Sequence, residues 1–140
     1  MFPKRFVLAL CVTFAAALVF AQPAGRDPIA ESLFPPELVM ANQSAIGLDD
    51  PQKTYLRGEI SKAQARFTDL QWQLQDAMET LVSLLKQSPV DESQTLAQLD
   101  KELALEREIK RTQIGLLVRI KNKLTRDQQE QLRKLRAGGK

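Results

Sequence analysis

Apolar residues recur along one part of the chain at alternating steps of four and three positions. This spacing places the apolar side chains on one face of a helix. No glycine or proline interrupts the pattern after Gly58, so it predicts one long helix that begins after Asp49 and ends near Gln87. The apolar positions are Leu56, Ile60, Ala63, Phe67, Leu70, Leu74, Ala77, Leu81 and Leu84.

A second apolar pattern predicts another long helix that runs to about Lys123. The link SPVD, residues 88–91, indicates a serine cap with a proline in the first turn. Two long helices joined by so short a link are expected to lie antiparallel. The apolar stripe of the second helix comprises Leu96, Leu99 and Leu103 and then Leu117, Ile120 and Leu124, while Leu105, Ile109 and Leu116 lie on another face.

Two short helices are predicted to flank this hairpin. Pro35 and Pro36 suit the first turn of a helix, which is expected to stop at Gly47. A basic helix is predicted from Thr125 to about Arg136. The chain is therefore expected to be all-α with four helices in one domain, residues 35–136, preceded by a flexible lead, residues 22–34, and followed by a disordered tail, residues 137–140.

A short motif occurs twice, as LDDPQ at residues 48–52 and as LTRDQ at residues 124–128. In each copy a leucine precedes a capping residue, and a glutamine follows the capping residue by three positions. This arrangement is typical of a capping box with a hydrophobic staple, so both motifs predict helix starts. The motif residues are Leu48, Asp49, Gln52, Leu124, Thr125 and Gln128.

The first residues are typical of a secretory signal peptide. Lys4 and Arg5 precede an apolar run, residues 6–20, and Ala21 offers a cleavage site. The run is shorter than a spanning helix needs, which disfavours an uncleaved anchor. A lipoprotein box at Cys11 is disfavoured because bulky Leu10 precedes the cysteine. Residues 1–21 are therefore predicted to be removed, and the mature chain is predicted to be periplasmic.

Composition narrows the candidate chemistry. The sequence contains no histidine, and its single cysteine, Cys11, lies in the predicted signal peptide. The mature chain would then lack imidazole and thiol groups, and it has no phosphate-binding loop or nucleophile elbow. We expect no catalytic residues, no cofactor, no metal site and no enzymatic activity, and nucleic acid is not an expected partner of an exported chain.

Charge is distributed unevenly along the chain. Residues 76–108 carry a net charge of −5, whereas residues 109–140 carry +8. In an antiparallel hairpin these stretches occupy opposite ends. Three interpretations remain open: a solvated surface pattern, an antiparallel homodimer that pairs acidic with basic ends, and attraction to acidic clients or anionic lipid.

Five apolar residues lie outside the apolar stripes of the two long helices. They are candidates for a dimer or client surface. Either they pack against the short helices, or they form a second surface for a partner. The sequence does not decide between a subunit partner and a client. The five residues are Trp72, Met78, Ile114, Leu116 and Val118.

An exported helical chain with paired motifs at helix starts resembles the LTxxQ superfamily, which includes Spy/CpxP-type periplasmic chaperones and periplasmic heavy-metal sensor domains. LTRDQ matches the motif well, whereas LDDPQ departs from it with Asp49 in place of threonine. The resemblance covers roughly residues 30–136. It implies a hook-shaped, four-helix subunit that forms an antiparallel dimer.

For Spy-like members the resemblance implies ATP-independent binding of unfolded or misfolded envelope proteins. For CpxP-like members it implies restraint of a membrane sensor kinase. Metal-sensing members use mainly histidines, which this chain lacks. The predicted function is therefore a chaperone-like envelope-stress protein, and the alternatives are a heavy-metal sensor or resistance protein and a regulator that docks on a kinase.

Overall fold

The computed structural model describes residues 27–138, which form five helices and no strand. They are α1 (Pro28–Ser32), α2 (Pro36–Ala41), α3 (Asp50–Leu85), α4 (Glu92–Lys123) and α5 (Arg126–Gly138). The all-α prediction is confirmed, and the two long helices pack against each other as expected. The predicted signal peptide and the first residues of the predicted lead lie outside the described residues.

The predicted lead differs from the structure where the two overlap. Residues 28–32 form the one-turn helix α1, capped by Asp27, and Phe34 is buried. Helix α2 ends at Ala41 rather than at Gly47, because the Asn42 side chain bonds to the Leu38 carbonyl and turns follow. Gly47 does adopt the left-handed conformation that ends such a segment, with φ of 63°.

The link between the long helices also differs in detail from the prediction. Asp91, not Ser88, caps α4, and its carboxylate accepts a hydrogen bond from the Gln94 backbone N–H at 2.9 Å. Asp91 lies directly before the first helical residue, where a capping side chain reaches the free N–H groups.

The main core lies at the end of the hairpin where the chain enters α3 and leaves α4, here called the base. The opposite end, at residues 86–91, is called the tip. In the base, α2 and α5 pack together beside the hairpin. The buried residues there are Phe34, Val39, Ile46, Leu48, Leu56, Ile120, Leu124 and Leu132.

The apolar stripe predicted for α4 is wrong in its half nearest the tip. Leu96 and Leu103 are each 51% exposed, whereas Gln98 and Glu102 are buried against α3. Ile120 is held in the base core, and helical steps of three and four from it lead through Leu116 and Ile109 to Glu102 and Gln98. The base therefore sets which side of α4 faces α3.

Candidate functional site

The two repeated motifs meet in the base and bond to each other. The Gln52 amide nitrogen donates to Gln128 Oε1 at 2.9 Å, and the Gln128 amide nitrogen donates to Gln52 Oε1 at 3.0 Å. Both glutamines are less than 9% exposed, and the neighbouring Leu48 and Leu124 are buried. We call this arrangement the glutamine pair.

Each glutamine also closes its own capping box. Gln52 Oε1 accepts from the Asp49 N–H at 3.1 Å, and Gln128 Oε1 accepts from the Thr125 N–H at 2.9 Å. Their amide nitrogens donate further to the carbonyls of Lys123 and Gly47, respectively. The donor and acceptor groups of both side chains are thus fully used. The motifs predicted the two caps but not the bond between them, which the identical motif spacing could have suggested.

A second set of contacts holds the N-terminal segment to α5. The Arg136 guanidinium donates to the carbonyls of Ala30, Glu31 and Leu33, and it lies 5.3 Å from the centre of the Phe34 ring. Charged donors form strong hydrogen bonds with carbonyls at a helix end. No sequence pattern indicated this contact, because the partners lie about one hundred residues apart.

One side of the hairpin, here called the charged face, is covered by ion pairs. Arg119 bonds to Glu59 at 2.7 Å across the two helices, and Arg66 bonds to Asp69 at 2.9 Å along α3. The Lys62 ammonium, which hydrogen-bonds to Glu59, lowers the pKa of that carboxyl, and the nearby Arg119 charge lowers it further. The charged side chains on this face therefore find partners within the chain.

The opposite side of α3 presents a row of uncharged residues, here called the uncharged stripe. Its steps of four and three keep the row on one side of the helix. Polar residues form the half nearer the base, and apolar residues form the half nearer the tip. In order, the stripe consists of Gln64, Thr68, Gln71, Gln75, Met78, Val82 and Leu85.

Apolar side chains near the tip remain exposed on this side. Met78, Val82 and Leu85 come from the uncharged stripe, and Leu96 and Leu103 come from α4. We call these five residues the distal patch. Large hydrophobic side chains grouped on a surface mark a contact site for another molecule. Met78 was among the candidates from sequence.

Nearer the base, the same side contains two adjoining apolar grooves. One, of about 220 Å³, lies between the long helices, with Phe67 and Leu116 in its lining. The other, of about 370 Å³, lies between α4 and the α1–α2 segment. Leu116 and Gln113 line both grooves. Leu116, a candidate from sequence, is therefore half-buried beside open apolar space.

The remaining candidates lie elsewhere on the two long helices. Trp72 on α3 is 63% exposed, and Val118 on α4 is also exposed. Ile114 lines a shallow depression together with Arg107, Lys110 and Arg111. The structure does not bring Trp72 and Ile114 together, because they belong to different helices and different depressions.

The described residues do not fit a heavy-metal ion. Within residues 27–138, no group of three or more His, Cys, Asp or Glu side chains could hold one. The whole sequence has no histidine, and Cys11 lies outside the described part. Soft and borderline metals prefer imidazole and thiolate ligands. Nor does any helix in the described part have the length and apolarity needed to cross a membrane.

These features define an all-helical protein whose long hairpin leaves apolar side chains open to solvent. The sequence profile of the heavy-metal resistance family matches residues 6–131, and the chain belongs to that family. The family is part of the LTxxQ superfamily of Spy/CpxP-like proteins, as the repeated motifs predicted, and its members are typically periplasmic. No curated protein and no solved structure matches the chain.

Proposed function

We propose that this protein is a periplasmic binding protein that reversibly captures apolar segments of unfolded envelope proteins. It does so without ATP and without catalysing a reaction. The observation that carries the proposal is the exposure of Trp72, a large aromatic side chain that is 63% accessible on the rigid helix α3. Exposed aromatic residues supply contact area at low entropic cost and anchor many interfaces.

Helix α4 supports the same function. Ile114 and Val118 are apolar positions beside the cationic side chains of Arg107, Lys110 and Arg111. Unfolded segments expose both apolar groups and charges, so neighbouring apolar and basic contacts suit them. Because these contacts are shallow and spread over two helices, binding is expected to be weak and rapidly reversible.

A role in metal resistance is consistent with this activity without a metal site. Soft and borderline heavy-metal ions prefer imidazole and thiolate ligands, so envelope proteins that carry histidine or cysteine are their expected targets. Residues 27–138 of this chain offer neither ligand, so they are expected to stay free of the metal and to hold proteins that metal binding has unfolded. The family description favours a second candidate, direct metal binding, which the described side chains do not support.

The test is aggregation of a chemically denatured client protein, with and without the purified protein, in the absence of ATP. The assay is run in chelator and then with added nickel or zinc. Suppression in chelator is expected. Suppression that appears only with metal would favour direct metal binding, and no suppression under either condition would favour a dedicated partner such as a sensor kinase.

Two variants locate the binding contacts. Trp72→Gln and Ile114→Gln are each expected to weaken suppression severalfold, because each removes an apolar contact. Leu135→Gln is the matched control, since Leu135 is also an exposed apolar side chain but lies on α5. Equal loss in all three variants would contradict a specific role for Trp72 and Ile114 on the hairpin.

A further inference from the structure

One depression on α4, here called the cationic depression, brings positive charge and an apolar side chain together. Within residues 27–138, neither Arg107 nor Lys110 has a hydrogen-bond or ion-pair partner, and the Arg111 guanidinium makes one ion pair, with Glu108 at 3.5 Å. The depression therefore presents positive charge that the chain itself leaves uncompensated. It has a volume of about 530 Å³, and its lining residues are Arg107, Lys110, Arg111 and Ile114.

The cationic depression continues along α4 toward the base as a row of four residues, here called the basic row. Its members are Arg107, Lys110, Ile114 and Val118. Steps of three and four keep these residues on one side of the helix, over a length of about 16 Å. Val118 is 41% exposed. A helix side that combines cations with exposed apolar side chains is typical of contact with the headgroup region of a lipid surface.

The charge of α4 changes sign where the basic row begins. Residues 92–106 contain one basic and four acidic residues, a net charge of −3, whereas residues 107–123 contain six basic residues and one acidic residue, a net charge of +5. A negatively charged surface attracts the second stretch and repels the first. The helix is therefore expected to meet such a surface with its half nearer the base.

We propose that the basic row binds an anionic lipid surface. Arg107 and Lys110 contact the lipid phosphates, and Ile114 and Val118 reach the boundary of the acyl chains. Phosphate suits these cations, because the arginine fork binds two of its oxygens at once and the lysine ammonium binds as a compact charge. The acidic half of α4 is repelled by the same phosphates, so the tip and its distal patch point away from the lipid.

The shape of the cationic depression favours an extended surface over a small soluble anion. All of its lining residues belong to α4, so no second element closes over a ligand. Sites for small molecules enclose most of their ligand, whereas a one-sided row of side chains fits a broad surface. A free phosphate would contact only the cations, and it would leave Val118, which lies outside the depression, without a role.

Lipid binding does not rest on the capture of clients. Client segments would share Ile114 and Val118 with the lipid, whereas Trp72 on α3 would serve clients alone. The aggregation assay contains no lipid and a vesicle assay contains no client, so the two proposals can fail separately. The competing occupant of the basic row is an acidic segment of an unfolded protein.

The first test is sedimentation of the protein with phospholipid vesicles. The protein is purified from the periplasm, and removal of the leader is verified by mass spectrometry, because an apolar leader would itself bind lipid. We expect binding to vesicles that contain phosphatidylglycerol, no binding to vesicles of phosphatidylcholine alone, and weaker binding as sodium chloride is added. Equal binding to both vesicles, or binding to neither, would overturn the proposal.

Two competitors separate the lipid surface from other anions. Inorganic phosphate is expected to displace no more protein from the vesicles than chloride at the same ionic strength. Displacement specific to phosphate would instead assign the cationic depression to a small anion. Capture of an acidic denatured protein that requires Arg107 and Lys110, without any binding to anionic vesicles, would instead assign the basic row to clients.

Two double variants of equal charge locate the contact. Arg107→Gln combined with Lys110→Gln is expected to weaken binding to the anionic vesicles about 25-fold, since each basic residue at such a surface contributes about fivefold. Arg126→Gln combined with Lys134→Gln is the matched control, because it also removes one exposed arginine and one exposed lysine, both on α5. Circular dichroism reports the helix content of both. Equal loss of binding in the two double variants would contradict a contact at the basic row.

The second test asks whether the apolar end of the basic row reaches the lipid. Trp72 is the single tryptophan of the sequence. In a Trp72→Phe background, Val118→Trp and Leu135→Trp each introduce one tryptophan, at positions that are 41% and 40% exposed. On anionic vesicles the fluorescence of the Val118→Trp variant is expected to shift to shorter wavelength, and that of the Leu135→Trp variant is not. A shift in neither variant, or in the control alone, would overturn the proposal.

Discussion

Replacing Gln128 with alanine is expected to destabilise the fold by about 2–3 kcal/mol. The Gln128 side chain accepts hydrogen bonds from the Thr125 N–H and from Gln52, and it donates to Gln52 and to the Gly47 carbonyl. A neutral hydrogen bond contributes about 1 kcal/mol net, and a buried group that loses its partner adds to the cost. Part of the loss is offset because Gln52 keeps its bonds to Asp49 and Lys123.

A double-mutant cycle isolates the bond between the two motifs. Gln52→Ala, Gln128→Ala and the double variant are compared by urea unfolding followed by circular dichroism. We expect a coupling free energy of about 1–2 kcal/mol, because the two amides exchange two hydrogen bonds. Gln75→Ala, which removes one exposed hydrogen bond, is the control and should change the free energy of unfolding by less than about 0.5 kcal/mol.

Strict additivity of the two single variants would refute the glutamine pair. Two independent capping boxes would still cost stability individually, since each glutamine closes its own helix start. Only a direct interaction makes each substitution less costly in a protein that already lacks the other glutamine than in the unchanged protein. The cycle therefore separates the contact formed by the tertiary structure from the local caps that the motifs predict.

Two further predictions concern charged groups. Glu59→Gln should destabilise the protein at neutral pH, and this loss of stability should shrink as the pH falls below 4.5. The native pKa of Glu59 lies below that ordinary value, and the stabilising effect of the carboxylate is lost as it is protonated. A destabilisation that stays constant in urea unfolding from neutral to acid pH would contradict this. Arg136→Gln should speed amide hydrogen exchange in residues 29–34, because the three carbonyl contacts are lost. Arg133→Gln, whose guanidinium also lies over the Phe34 ring, is the control, and equal exchange in both variants would argue against the Arg136 contacts.

The helices themselves could be predicted from sequence because their signals are local. The four-three spacing of apolar residues marks α3, and the Asp49 and Thr125 motifs mark the starts of α3 and α5. The family resemblance also rested on these short motifs and is confirmed by the match over residues 6–131. Capping and periodicity depend on residues within one or two turns, so no long-range information was needed.

The side of α4 that faces α3 was decided only by the tertiary structure. Its sequence offers two apolar stripes, and the more regular one near the tip, with Leu96 and Leu103, faces solvent. The inward side is selected by the base core around Ile120, which also brings Gln52 to Gln128 and Arg136 to the N-terminal segment. Local periodicity reports that a helix has an apolar stripe, but the position of each stripe depends on contacts with residues far away in the sequence.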